Sequence, residues 1–343
     1  MNMSSASAYA YAKASGMLVK SYVGDNAIPL FHAKSLSELW ELVFRTSVPS
    51  VPEVIFANTI ENEAMKRFVS QYTHLLDVYD KPDSYLIELL RRYEIENLKV
   101  IAASLSLGEE KKPRTVDIGD YALLHYNEWP NLSAITRGTR YEWYSEASAV
   151  EKRMRLDYQL DALEIKTLWA SLDKISDGTK SILKNFFIEE YSVKNMQWAL
   201  RLKVYYKFSR EKIIENLFCL GDKPSPSDKI CGYAFEILDK EVDSYEDWKN
   251  WRFAKFLNAH TEGDVWSVNP RRIEHCFKFL EKSKARKMFH LYPMTDISMV
   301  MFFFLKQQEL NCIRAATEKL RLGSSISEAM YVAGIKKEMD DTI

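Results

Sequence analysis

The chain has 343 residues and carries 47 Lys and Arg against 48 Asp and Glu, a net charge of −1, which excludes a global pull toward nucleic acid or anionic membrane. Hydrophobic residues at 47% and aromatics at 13% exclude disorder. The length exceeds the roughly 250–300 residues that one core supports, so two or three domains are expected, and only 11 Gly and 10 Pro favour helices, whose interiors tolerate neither.

The opening stretch MNMSSASAYAYAKASG has no long apolar run and therefore no secretory signal. Ser35 with Glu38 three residues on has capping-box spacing ahead of a helix in SLSELWELVF. In DSYLIELLRRYEIENLKVIAASL (83–105) the apolar positions 86, 89, 90, 93, 95, 98, 101 and 105 recur at three and four, which predicts an amphipathic helix. ALEIKTLWASLDKI (162–175) and SYEDWKNWRFAKFLNAH (244–260) behave likewise. Breaks fall at 24–29, 47–53, 108–120, 221–228 and 261–270. No alternating strand and no Asn-Gly hairpin signal occurs between them. The fold class is all-α. The most apolar run, MVMFFFL at 299–305, is far short of the about 20 residues of a membrane span; it reads as a helix buried on several sides.

One helix end is written more than once. With Cys312 placed over Asn97, Glu309 falls on Glu94, Ile313 on Leu98, Arg314 on Lys99 and Gly323 on Gly108, without a gap. A third copy starts at Asn195, with Met196 and Gln197 in the Leu98 and Lys99 places and Tyr206 where the glycine should be. The apolar positions make one buried stripe. The neighbouring Lys or Arg can snorkel on its rim, and the terminal Gly takes the left-handed conformation that closes the helix. Offsets of 98 and 117 residues suit whole domains, not a short solenoid repeat. Domains are expected at 1–120, 121–228 and 229–343, one repeat helix in each.

Signs of catalysis are absent. ISDGTKS (175–181) lacks the glycines of a phosphate loop and reads as a helix-to-helix turn around Asp177 and Gly178. His275 and Cys276 are adjacent, so they diverge by about 100° on a helix and cannot share a metal. The four cysteines, 219, 231, 276 and 312, have no pairing pattern and read as free thiols. No G-x-S-x-G elbow occurs, and the Asp340–Asp341 pair sits in the last four residues. Neither a catalytic residue, a cofactor nor a metal is expected. The Tyr and Trp of YEWYSEA (141–147) and the pair Trp248 and Trp251 read as core or interface aromatics. Two charge runs remain. EILDKEVDSYED (236–247) is acidic and RRIEHCFKFLEKSKARK (271–287) is basic. Both suit solvated helix faces; the sharper reading makes Lys282, Lys284 and Lys287 partner contacts that steer association.

YEIENLKVIAASLSLGE, YSVKNMQWALRLKVYYKFSREKI and MVMFFFLKQQELNCIRAATEKLRLGSSISE resemble the three repeated Asn-Leu/Ile-Arg helices of the AC39-like central-stalk family of V-type/A-type ATPases. AYAYAKASGML resembles that family's N-terminal Tyr-x-Tyr helix, NLSAITRGTRYEWY its Leu-x-x-Thr-x-Tyr segment, and DYQLDALEIKTLWASLDKI the helix opening its second domain. The resemblance runs from about residue 9 to about residue 330. It departs at Ala12, Lys13, Ala14 and Ser15, where the family carries Asn and arginines, and at Tyr206. It implies three similar helical bundles around a pseudo-threefold axis, forming a funnel. It further implies a non-catalytic component, one copy per complex, that joins the central-stalk shaft proteins of D and F type to the membrane rotor ring at the cytoplasmic face. The other readings are a free-standing helical adaptor for peptide or nucleic acid, which predicts a basic or apolar groove, and an all-α enzyme, which predicts a clustered acid or metal motif.

Overall fold

The computed structural model describes residues 3–146, 150–261, 263 and 265–336. The Asp340–Asp341 pair and Ala147 of the YEWYSEA stretch lie outside them. Among the described residues no β-strand occurs; the chain is all-α.

Helix α1 (Met3–Val19) buries Ala6, Ala10 and Ala14, spaced four apart. Such spacing makes one narrow face that lets another backbone approach closely. Two short helices follow, α2 (Ile28–His32) and α3 (Leu36–Phe44). The Ser35 side chain accepts from Glu38 N at 3.2 Å, as the capping-box spacing predicts. The Glu38 carboxylate reaches back to Lys34 N at 2.8 Å, one residue beyond the usual partner. Then come α4 (Glu53–Leu76) and α5 (Ser84–Ser106), the first repeat helix. Past α6 (Leu132–Thr136) and α7 (Val150–Leu172) lies α8 (Asp177–Val204), the second repeat helix. Asp177 and Gly178 are not in a turn. They form the first helical turn of α8, after an extended Ser176, where an acidic residue favours the positive end of the helix. Nor is the acidic run 236–247 a helix face. It holds only the end of α10 (Gly232–Leu238) and most of α11 (Tyr245–Trp248), beyond the short α9 (Arg210–Ile214). Its carboxylates act locally: Asp239 pairs with Arg210 at 2.9 Å and Asp247 accepts from Glu241 N at 2.9 Å. The basic run does form a helix, α12 (Pro270–Leu291), and α13 (Asp296–Leu322) is the third repeat helix, followed by α14 (Ile326–Val332).

The buried apolar residues form three cores. The second half of α5 (Ile95, Leu98, Ile101) packs with Leu124, Leu132, Ile135, Tyr141, Tyr144 and Leu160 of the segment that follows. The second half of α8 (Val193, Met196, Leu200) packs with Ile213, Trp248, Trp251 and Phe277. The third and largest core joins the first halves of α5 and α8 to α13 and to the N-terminal helices α1–α4. These cores are not consecutive stretches of chain, because α13 packs on α1, α2, α3 and α4. Met299 to Phe303 are buried on every side, in keeping with the all-apolar run.

The repeat helices end as their glycines dictate, with one exception. Gly108 and Gly323 both adopt φ +71°. Glu109 N reaches Ser104 O and Gly108 N reaches Leu105 O, the paired bonds of a Schellman end. In α8 the left-handed residue is Lys207, φ +54°, one position later than the expected glycine. A side chain there is strained, so Lys207→Gly is expected to stabilise the fold by about 1 kcal/mol, seen as a higher thermal midpoint. A lower midpoint would show that the lysine side chain matters more than its backbone.

Candidate functional site

The three repeat helices approach one another through side chains of their middle turns, some of them at one register. Five residues before Asn97, Asn195 and Cys312 stand Arg92, Glu190 and Gln307. The Arg92 guanidinium pairs with Glu164 of α7 at 2.6 Å and with Glu190 of α8 at 3.6 Å. It donates to the Tyr191 hydroxyl at 2.6 Å and lies 5.7 Å from the centre of the Phe304 ring of α13. One cation therefore touches three helices besides its own. Gln307 donates to the Tyr93 hydroxyl at 3.3 Å, tying α13 to α5. Phe304 packs edge-on to Phe186 of α8 at 4.9 Å. Burial would raise the Glu190 carboxyl, but Lys194, 2.5 Å away, and Arg92 hold it below its ordinary value. Burial likewise works against the Arg92 charge and is outweighed by Tyr191, Glu164 and Glu190.

A second ring of polar groups fastens each repeat helix to a loop. Asn97 donates to Val116 O at 2.7 Å and accepts from Val116 N at 2.7 Å. Asn195 does the same with Phe218, at 2.8 Å in both directions, and also donates to Ile230 O at 2.8 Å. Both asparagines are buried, and a side-chain amide satisfies a buried peptide group at both ends. Three residues earlier the pattern repeats. Glu94 accepts from Leu123 N and Leu124 N at 2.6 and 2.9 Å, Ser192 donates to Lys229 O at 3.2 Å, and Glu309 accepts from Tyr22 N at 2.9 Å. In the third copy Cys312 replaces the asparagine. It is buried, and burial pushes its thiol up to about 12, so the thiol is inert at neutral pH.

Residues 50–328 match a protein-family model described as ATP synthase (C/AC39) subunit. The chain belongs to that family. An uncharacterized protein of Treponema pallidum (strain Nichols) is 26% identical over 341 residues, spanning 95% of this chain and 98% of that one. As a member of the C/AC39 family the chain is a component of a V/A-type ATPase. Among the described residues no helix is long and apolar enough to cross a membrane.

Within this C/AC39 protein the singled-out residues fall into separate sets. Leu98, Met196 and Ile313 are core residues beneath the polar ring. Lys99 pairs with Asp161 at 2.5 Å and Glu96 at 3.0 Å, and Arg314 with Glu61 at 3.2 Å. Gln197 is half-buried. The three α12 lysines are not brought together. Lys282 and Arg314 line a cleft of about 530 Å³ between α12, α13 and α14. Lys284 pairs with Glu189 at the edge of a different cavity, and Lys287 is exposed. Among the described residues no group of three His, Cys, Asp or Glu side chains is placed to hold a metal, and His275 stacks on Tyr331 at 3.6 Å. Arg92, Glu190 and Tyr191 are absent from the sequence reading. Their signal was an ionic group interrupting an apolar stripe in two copies at one register.

Glu281 of α12 sits near this junction. Burial and the neighbouring Glu190 push its carboxyl up to about 7, while Lys194 and Lys278 pull it down and Glu189 adds to the rise. The folded state thus holds a proton that the unfolded chain releases from about pH 4.3 upward. Stability is lost as pH climbs from there to about 7 and levels off above it. Glu281→Gln is expected to raise the thermal midpoint above pH 7 and to leave it unchanged near pH 4. Equal midpoints of the two proteins at pH 8 would contradict this.

Proposed function

We propose that this protein is a non-catalytic rotor part: a socket, one copy per complex at the cytoplasmic face, joining a central-stalk shaft of D and F type to the membrane rotor ring. The reading rests on family membership together with one observation, that helices α5, α8 and α13 each bond a loop backbone through a polar side chain at the same register, Glu94, Ser192 and Glu309. A socket needs stiffness about an axis. Three related units, one per repeat helix and arranged around a pseudo-threefold axis as a funnel, supply it. Polar groups locked in ion pairs at their junction favour a mechanical over a chemical role. The apolar residues ten positions past the aligned Asn97, Asn195 and Cys312 support a shared working end: Leu107, Tyr205 and Leu322 are 75%, 52% and 68% exposed, an unusual state for large apolar side chains at matching places. Lys282, Lys284 and Lys287 serve as steering charges.

Affinity purification of the tagged protein from the membranes of its source organism is the test. Recovery of ATP-hydrolysing head proteins and of the ring is expected. Recovery of the protein alone, or with bound RNA, would refute the reading. Exchanging the three lysines for Glu is expected to slow association at low salt, with the difference shrinking as ionic strength rises.

A further inference from the structure

We infer that the groove between α1 and α4 docks a helix of a partner protein that carries acidic residues two turns apart. The inference goes beyond the socket reading and needs only that the chain belongs to a larger complex. Helix α1 is unusual for its place. Its inner face is buried through Ala6, Ala10 and Ala14, yet its outer face lacks the charged residues of a solvated helix. Tyr9, Ala12, Gly16 and Val19 are exposed on that face, and Lys13 is the one charged residue between Met3 and Val19. A helix that is apolar on both faces is a helix covered on both, and the described residues cover only one.

The groove measures about 590 Å³ and follows α1 from Tyr9 to Lys20, with Arg67 and Gln71 of α4 as its other wall. That stretch of α1 is about 17 Å long, which suits three turns of a second helix and is more than a small anion can fill. Ala12 and Gly16 form the floor, so another backbone can come close. A membrane surface would call for bulky apolar side chains in their place. The charges select the partner. Lys13, Lys20 and Arg67 line the groove and no carboxylate does, whereas the cleft between α12, α13 and α14 mixes cations with Glu281, Glu318 and Glu328. Arg67 is engaged from within, by Val43 O at 2.5 Å and Glu309 at 3.5 Å. Lys13 lies 5.7 Å from the centre of the Tyr9 ring, and neither it nor Lys20 meets a carboxylate among the described residues. The two lysines stand on the same side of α1, two turns or about 10 Å apart. Acids at that spacing on the partner helix answer both.

Gly16→Cys supplies the reporter, because a Cβ added there meets nothing within 4 Å. The native Cys219, Cys231 and Cys312 are buried, and peptide mass separates residue 16 from Cys276. Maleimide labelling is compared between the isolated chain and membranes of the source organism. Labelling at least tenfold slower in the membranes is expected. Adding Lys13→Glu and Lys20→Glu is expected to speed it there at least fivefold, with the helical circular-dichroism spectrum of the isolated chain unchanged. p-Benzoylphenylalanine placed at Ala12 and photolysed in the same membranes is expected to cross-link to a helical segment with Asp or Glu about seven residues apart. Equal labelling in both settings, or protection that survives the double charge reversal, would overturn the inference. So would a cross-link that is absent, or that goes to lipid, to nucleic acid or to a segment without such acids. Co-purification of the ATPase proteins together with equal labelling would overturn it while leaving the socket reading standing.

Discussion

Arg92→Met is expected to lower the unfolding free energy by about 3–5 kcal/mol, the usual cost of removing one partner from a buried ionic cluster. Methionine fills the space of the aliphatic stem, so packing is nearly kept and the loss is electrostatic. Glu164 and Glu190 then keep their charges with the shared cation gone, and Lys194 alone cannot answer both. Tyr191 loses its donor, and Phe304 loses the cation over its ring. Urea denaturation followed by helical circular dichroism measures the loss. The double variant Arg92→Met, Glu190→Gln should recover part of it, because one stranded charge is removed. A loss below about 1 kcal/mol in the single variant would mean that water, not the guanidinium, satisfies those carboxylates.

Glu309→Gln should cost a similar 3–5 kcal/mol, with a local signature that Arg92→Met lacks. Lys306 is 1% exposed and is held by Glu309 and by Ser21 Oγ at 3.0 Å. Burial pulls the Lys306 ammonium down from its usual value and Glu309 resists this. The amide cannot replace that counter-charge. Glu309 also accepts from Tyr22 N and lies 3.5 Å from Arg67, so it pins the end of α1 against α13 and α4. Trypsin is expected to cut after the exposed Lys20 much faster in the variant than in the unaltered chain. The pair Lys306→Met, Glu309→Leu should restore most of the stability, since a matched apolar replacement removes both buried charges together. Unchanged cleavage at Lys20 in Glu309→Gln would show that the alanine stripe of α1 alone holds that helix.

Much of this architecture was legible, for a physical reason. Helix periodicity survives in the sequence because a buried stripe must be apolar at three and four. The ends of α5 and α13 were legible because Gly108 and Gly323 answer a backbone conformation that few other residues adopt. Glu94 and Glu309, which the sequence alignment of the helices superposes, both bond loop backbones. The partners of those groups were not legible. Asn97 bonds Val116 and Asn195 bonds Phe218, nineteen and twenty-three residues on, and no local pattern marks a backbone group that waits for a distant amide. The expected turn at Asp177–Gly178 is instead the start of α8, because the first turn of a helix tolerates a glycine. The acidic run 236–247 misled because composition reports charge and not conformation. Arg92 was invisible for a related cause: an ionic residue in an apolar stripe reads as a rim position until the other helices close over it.

The packing of α1–α4 on α13 also sets a timetable for synthesis. Leu76 closes α4 and Ala316 is among the last α13 residues of the shared core, so 240 residues separate them. A ribosome adding roughly 5–20 residues per second needs about 12–48 s to cover that stretch. For that interval the leading helices have emerged but lack the surface against which Ala6, Ala10 and Ala14 pack. The nascent chain therefore exposes an unpartnered apolar face at its head, and the demand on chaperones falls early in translation and ends only when α13 leaves the exit tunnel.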